Sequence, residues 1–132
     1  EHSPIRVVTY RITMRDIPYW VSVHLVRHKV GVEHFVSTQR TDRTGTPREK
    51  LPQDNPVTHT MVLNAQAILN ISHRRLCACA SKETREVWRK VVSAVKTIDP
   101  LLASLCRPMC EYRGGKCHEH LAPCGRCPEE SL

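Results

Sequence analysis

Three basic side chains, His24, Arg27 and His28, stand at i, i+3 and i+4. On a helix they share one face near its C-terminal end. His side chains at that end can complement the negative end of the helix dipole, and a basic helix end is more often surface than site. A second candidate is the run Cys110, Cys117, Cys124 and Cys127, spaced C-x6-C-x6-C-x2-C with Gly114, Gly115 and Gly125 between them. Four thiolates can close a tetrahedral zinc site, and the Cys124-x2-Cys127 pair has zinc-knuckle spacing. We expect structural Zn2+ there, with His118 and His120 as possible substitute ligands. Two disulfides are the alternative. A third candidate is the polar stretch 39–57, with Arg40, Arg43, Arg48 and Lys50 among three Pro and one Gly. It reads either as a basic lid over an anion or as a solvated charged loop.

The elements that position these groups follow from periodicity. Residues 5–14 read as a strand, with Val8, Tyr10, Ile12 and Met14 alternating with Thr9, Arg11 and Thr13. Asp16 before Ile17-Pro18 reads as a capped helix start. Ile17, Trp20, Val21, His24 and Leu25 then recur at helical spacing, to about residue 28, and Gly31 ends the run. Residues 30–38 are a second strand or an extended loop. From 58 to about 80 the pattern predicts a helix with the stripe Met61, Val62, Ala65, Ile68, Leu69 and Leu76. Cys77 and Cys79 are ordinary residues within it. Ser81 is the expected N-cap of the next helix, with Glu83 in its first turn. Val87, Trp88, Val91, Val92, Val95 and Ile98 are its expected core face. Asp99-Pro100 stops that helix and starts a short one over 101–105, after which Cys106 is a packing residue. The expected class is α+β: a small antiparallel sheet with packed helices, a helical second half and a zinc-bound, Cys-rich C-terminal tail.

Composition bounds the function. The 132 residues are 40% hydrophobic and 25% charged, which favours a globular domain over disorder. Twenty Lys+Arg against thirteen Asp+Glu give +7, so an anionic partner is favoured. No apolar run approaches the ~20 residues of a membrane span, and no secretory signal is visible. A cytoplasmic location is therefore expected. The first residue is Glu and the sequence runs almost at once into a strand pattern, so the natural start is expected upstream. Aromatic residues are only 5%, too few for a base-stacking platform, and the basic residues are scattered.

The order of residues is more specific than their composition. Arg27-His28-Lys29, seven residues, then Ser37 closely resembles the Arg-His-Arg-x7-Ser signature of the flavin-dependent thymidylate synthases. His2-Ser3-Pro4 resembles the family's His-containing entry segment. Asn64-x5-Asn70-x4-Arg75-Leu76-x3-Ala80-x2-Glu83-x-Arg85 resembles its second conserved helix and turn. The resemblance covers residues 1–105, with the tail 106–132 as a separate segment. It implies methylation of dUMP to dTMP, with one carbon from methylenetetrahydrofolate and a hydride from FAD that NADPH has reduced. It implies no protein nucleophile, so none of the seven Cys needs a catalytic role. It also implies a homotetramer with sites shared between subunits, and the short chain looks like a phage-type member.

By position, the resemblance makes His2, Arg27, His28, Lys29, Asn64 and Asn70 contacts of FAD. Ser37, Arg48 and Arg75 would bind the nucleotide, and Arg40 stands beside the slot of a further nucleotide-binding Arg, which Gln39 fills. There are other departures. Lys29 replaces an Arg, Phe35 replaces an acidic residue, and Gln66 replaces an Arg between the two Asn positions. The family's N-terminal strand–helix unit is absent from this sequence, and the Cys-rich tail is not general in the family. Two further readings accompany this one. One is a basic, zinc-containing nucleic-acid-binding module. The other is a catalytically inactive scaffold of the same fold.

Overall fold

The computed structural model describes residues 3–117 and 119. Its class is α+β, with one small antiparallel sheet and several helices. The chain forms two compact units, Glu1–Asn64 and Ala65–Leu132.

The first unit is built on strands. A 3₁₀ turn at Ser3–Arg6 precedes β1 (Thr9–Pro18). β1 therefore starts later than the alternation suggested and runs on through Ile17-Pro18. Its register slips between Met14 and Ile17, where Asp16 takes φ 54°. Asp tolerates this left-handed region better than most residues, and the slip is a β-bulge. Asp16 thus shapes a bulge and is not the helix cap expected of it. Helix α1 (Tyr19–Leu25) begins after Pro18 with no side-chain cap. Its first amides are instead satisfied by backbone: Tyr19 N–H donates to the Asn55 carbonyl at 3.0 Å and Trp20 N–H to Gln53 at 3.2 Å.

After α1 come β2 (Val32–Val36), a short helix α2 (Thr41–Thr44), a 3₁₀ turn at Arg48–Lys50 and β3 (Pro56–Asn64). The sheet order is β1-β3-β2, antiparallel throughout. β3 is the correction that matters most, because residues 58–64 were expected as helix. Val57, His59, Met61 and Leu63 are all buried, while Thr58, Thr60 and Val62 show more surface. That is a period of two, and the segment is rich in β-branched Val and Thr. His59 hid the pattern, since a polar type sits at a fully buried position.

The second unit is helical. It contains α3 (Ala65–Arg75), α4 (Lys82–Ile98), α5 (Pro100–Leu105) and α6 (Met109–Tyr112). Helix α3 ends at Arg75, so Cys77 and Cys79 lie in the turn that follows rather than on the helix. Ser81 caps α4 as expected, its Oγ accepting from Thr84 N–H. Asp99 caps α5, its Oδ1 accepting from Leu102 N–H at 2.9 Å, with Pro100 in the first turn. Trp88, Val91 and Val95 are buried as expected, but Ile98 is 71% exposed at the end of α4. Among the described residues no helix is long and apolar enough to cross a membrane.

The polar detail at the centre of this unit is one hydroxyl. Ser72 Oγ donates to the Ile68 carbonyl at 2.7 Å and accepts from Trp88 Nε1–H at 2.9 Å. Ser72 and Trp88 are both fully buried. A buried donor stripped of its acceptor carries its full desolvation cost. Ser72→Ala is therefore expected to destabilise the protein by about 1–3 kcal/mol, read by urea unfolding. Adding Trp88→Phe should recover part of that loss. A Ser72→Ala variant as stable as the parent would remove this bond from the account.

Candidate functional site

The Arg27-His28-Lys29 segment is not on a helix. Helix α1 closes with Val26 N–H on the Ser22 carbonyl and His28 N–H on the Leu25 carbonyl. Residues 27–31 then form the turn into β2, so the face expected to join His24, Arg27 and His28 does not form. His24 instead meets Trp20 edge-on, with ring centroids 5.3 Å apart. Arg27 and Lys29 are exposed on the turn and His28 is half-buried.

The turn is tied to the sheet. Gly31 takes φ +71°, and its carbonyl accepts from Asn64 N–H at 3.1 Å. A Cβ built on Gly31 would lie 2.7 Å from Asn64 Nδ2 and 2.9 Å from Oδ1. A Cβ there would have to displace the Asn64 amide, and glycine is the residue most relaxed at that φ. Asn64, at the end of β3, is therefore brought against the Arg27-His28-Lys29 turn. A further tie comes from His34 on β2, whose Nε2 lies 2.6 Å from the His28 carbonyl.

Ser37 lies at the other end of β2. Its N–H donates to the Thr58 carbonyl at 2.9 Å, and its Oγ accepts from Thr58 N–H at 3.0 Å. Both contacts extend the β2–β3 ladder by one rung. The long basic loop starts here. Arg40 and Asp42 form a two-point ion pair, Nε to Oδ1 at 2.9 Å and a terminal nitrogen to Oδ2 at 2.8 Å. Both side chains are exposed, so the pair contributes little and can open. Arg48 N–H donates to Thr41 Oγ1 at 3.2 Å, folding the loop back on α2, and the Arg48 residue is exposed.

The remaining expected residues sit elsewhere. Asn70 and Arg75 are on α3 in the second unit, with Asn70 Oδ1 accepting from Gln66 at 3.2 Å. Arg85, part of the same sequence pattern, donates to the Ala78 carbonyl at 3.0 Å and so braces the turn after α3. Cys110 belongs to α6, and Cys117 follows it. Gly114 and Gly115 take φ +74° and +93°, and Gly115 N–H donates to the Cys110 carbonyl at 2.8 Å, so the chain reverses between these two thiols. His2, His118, His120, Cys124 and Cys127 lie outside the described residues. Among the described residues no three His, Cys, Asp or Glu side chains gather to hold a metal ion. A hollow in the second unit, lined in part by Leu76, Arg89, Cys106 and Glu111, offers little chemistry. Burial pushes the Cys106 thiol up, toward its unreactive neutral form.

Sequence reasoning missed the histidine pair behind the turn. His34 Nδ1 and His59 Nε2 are 2.9 Å apart, and the ring centroids are 5.1 Å apart. His59 is fully buried, and its Nδ1 has no hydrogen-bond partner among the described residues. Burial, and then the neighbouring His34, bring its pKa down from 6.5 to about 4. A signal existed in the spacing, because residues 34 and 59 fall on alternating positions of two strands. It becomes legible only once 56–64 is read as β.

No protein-family model matches the chain, and no curated protein matches it.

Two outcomes follow for the turn and the pair. Gly31→Ala is expected to destabilise by about 1–3 kcal/mol from backbone strain alone, more with the Asn64 clash. Adding Asn64→Ala should relieve the clash and leave the strain, which chemical denaturation of the two variants would separate. For His59, the folded state refuses a proton that the unfolded chain accepts between pH 6.5 and about 4. Its contribution is fully present above pH 6.5 and is lost as pH falls through that window, by up to roughly 3 kcal/mol. His59→Phe should flatten the pH dependence of unfolding there. An unchanged slope would contradict the buried, neutral assignment.

Proposed function

We propose that this chain carries out a flavin-dependent reaction on a pyrimidine nucleotide, methylation of dUMP to dTMP in the first instance. In it a one-carbon unit passes from methylenetetrahydrofolate to the uracil ring, leaving tetrahydrofolate, and NADPH is oxidised to NADP+. FAD, when bound, would carry the hydride between them.

The observation that supports this reading is a segregation along the sheet. Arg27, His28, Lys29 and Asn64, the residues expected to contact FAD in the first unit, collect at one end of β2 and β3. Ser37, Arg40 and Arg48, expected to contact nucleotide, lie at or beyond the opposite end. Five residues of β2 separate the two groups, roughly 17 Å at 3.3 Å per residue. A single small anion cannot span that distance. Two ligands, or one extended dinucleotide and one nucleotide, suit it. The donor chemistry fits at both ends. Arg27 and Lys29 are exposed cations on a clamped backbone, suited to a pyrophosphate. Arg40 and Arg48 offer guanidinium forks suited to a phosphate monoester. Ser37 Oγ accepts from the backbone and so keeps its own proton to donate.

The exposure of both groups also favours assembly. A ligand site needs walls that exclude water, and a second copy can supply them. A homotetramer is part of this proposal, as is structural Zn2+ on Cys110, Cys117, Cys124 and Cys127. The half-buried thiols and the glycine reversal suit the first two of those roles.

The test is the visible spectrum of the purified protein after FAD is added and the excess removed. Retained flavin, further perturbed by dUMP, is the expected result. Arg27→Ala should weaken flavin retention, and Ser37→Ala should abolish the dUMP-induced change while flavin stays bound. Absence of flavin, with salt-dependent binding of single-stranded DNA, would replace this reading with the nucleic-acid one.

A further inference from the structure

The two histidines behind the turn form a hydrogen-bond chain with a fixed direction. The His28 carbonyl can only accept, so His34 Nε2, 2.6 Å away, carries its proton. A neutral His34 then has a bare Nδ1, which accepts from His59 Nε2–H at 2.9 Å. His59 in turn has a bare Nδ1, buried and unpartnered among the described residues. Each proton position follows from the one before it, and the chain ends on the backbone of the middle residue of Arg27-His28-Lys29.

We propose that His34 is the positioning residue of the cofactor-binding turn. With His59 behind it, it sets the Arg27-His28-Lys29 backbone that receives the flavin pyrophosphate. This rests on the flavin reading above. Protonating His34 would put a proton on Nδ1 and oblige His59 to accept through Nε2. His59 would then carry its own proton on Nδ1, where no acceptor waits. Both bonds of the chain would survive, with the one between the rings reversed and an unpartnered N–H left on buried His59.

The pair shares its sheet face mainly with apolar side chains. Met14 of β1 and Val36 of β2 flank His59, and Ile12 and Met61 share the row of His34. Tyr10, one row further on, is the other titratable group on that face. Arg11 and Glu33 fall on the opposite face, and Arg15 and Asp16 lie in the bulge. Helix α1, which packs on β1 and β3, carries Tyr19 and His24. The turn brings the His28 ring itself, and Arg27 and Lys29 beside it are exposed.

The experiment compares His34→Phe, His34→Asn and His34→Gln for flavin retention and backbone order. Gln places an amide N–H2 where Nε2–H stood. Asn reaches toward His59 but not toward the His28 carbonyl, and Phe reaches neither. At pH 7.5 His34→Phe and His34→Asn are expected to weaken FAD binding about ten-fold or more, the scale of a slightly misplaced binding group. His34→Gln should recover most of that. Nitrogen-correlated NMR of the histidine rings should show His34 protonated on Nε2, and amides 27–31 should lose protection in the Asn variant but not in the Gln variant.

If folded His34→Asn binds FAD like the parent, the positioning role is wrong while the flavin reading stands. If the parent binds no FAD, the flavin reading fails, and the amide protection alone decides whether His34 sets the turn. Unchanged amides in His34→Asn would overturn it. Should His34→Phe fail to fold, the Asn and Gln pair carries the comparison unaided.

Discussion

The turn between α1 and β2 belongs to neither element's regular hydrogen-bonding pattern, and the residues proposed to contact FAD in the first unit depend on its being held. It is held from three directions. Leu25 closes the helix end below it, Asn64 N–H takes the Gly31 carbonyl, and His34 takes the His28 carbonyl. The last is the shortest of the three, and it is the one made by a side chain. A turn fixed by backbone and side-chain bonds from its neighbours can be rigid without being buried, which is what a cation-bearing loop needs. Arg27 and Lys29 stay in solvent while the peptide units between them are fixed.

The same logic extends to the start of α1. Seven residues make a helix too short to persist without help. Its first amides bond to Gln53 and Asn55, at the far end of the long basic loop. The loop is thus a structural partner of the helix as well as a carrier of Arg40, Arg43 and Arg48. Its length is explained in part by that duty, because it must leave β2, cover the helix N-terminus and return as β3. Inside it, α2 and the Arg48–Lys50 turn use up backbone groups that would otherwise be left to solvent.

How much of this was legible depended on whether the signal was local. Ser81 and Asp99-Pro100 act through their own neighbours, and both helix starts were read correctly from sequence. The second strand also follows from a local pattern. Helix α1 was read too long at both ends, because Asp16 has the residue type of a cap but a bulge conformation, and because Arg27 and His28 continue a helical spacing that the backbone abandons. The strand 56–64 was misread because Met61-Val62 and Ala65 mimic a helical stripe, and because His59 interrupts the apolar alternation. Tertiary placement decides such a case, since His59 is fully buried with its Nε2 2.9 Å from His34 Nδ1 on β2. The segregation of Arg27, His28, Lys29 and Asn64 from Ser37, Arg40 and Arg48 was hidden in part. Chain order around β2 separates 27–29 from 37–48, but only the β2–β3 register brings Asn64 to the first group.

Under the proposed function, the departures from the pattern of the flavin-dependent thymidylate synthases have a physical reading. Lys29 offers one mobile point charge where an Arg would offer a planar fork, so the demand for geometry at that end falls on Arg27 and on the backbone. A fixed peptide can meet it, because an N–H with a set direction selects an anion's position as a fork does. His34 and Gly31 fix those peptides from either side of Lys29. At the other end, Gln39 stands where an Arg is expected, and Arg40 beside it is engaged by Asp42. A phosphate carries more charge than a carboxylate and competes for the same fork. The exchange costs little at an exposed pair, so in the proposed reaction Asp42 would hold Arg40 in order until a phosphate replaces it.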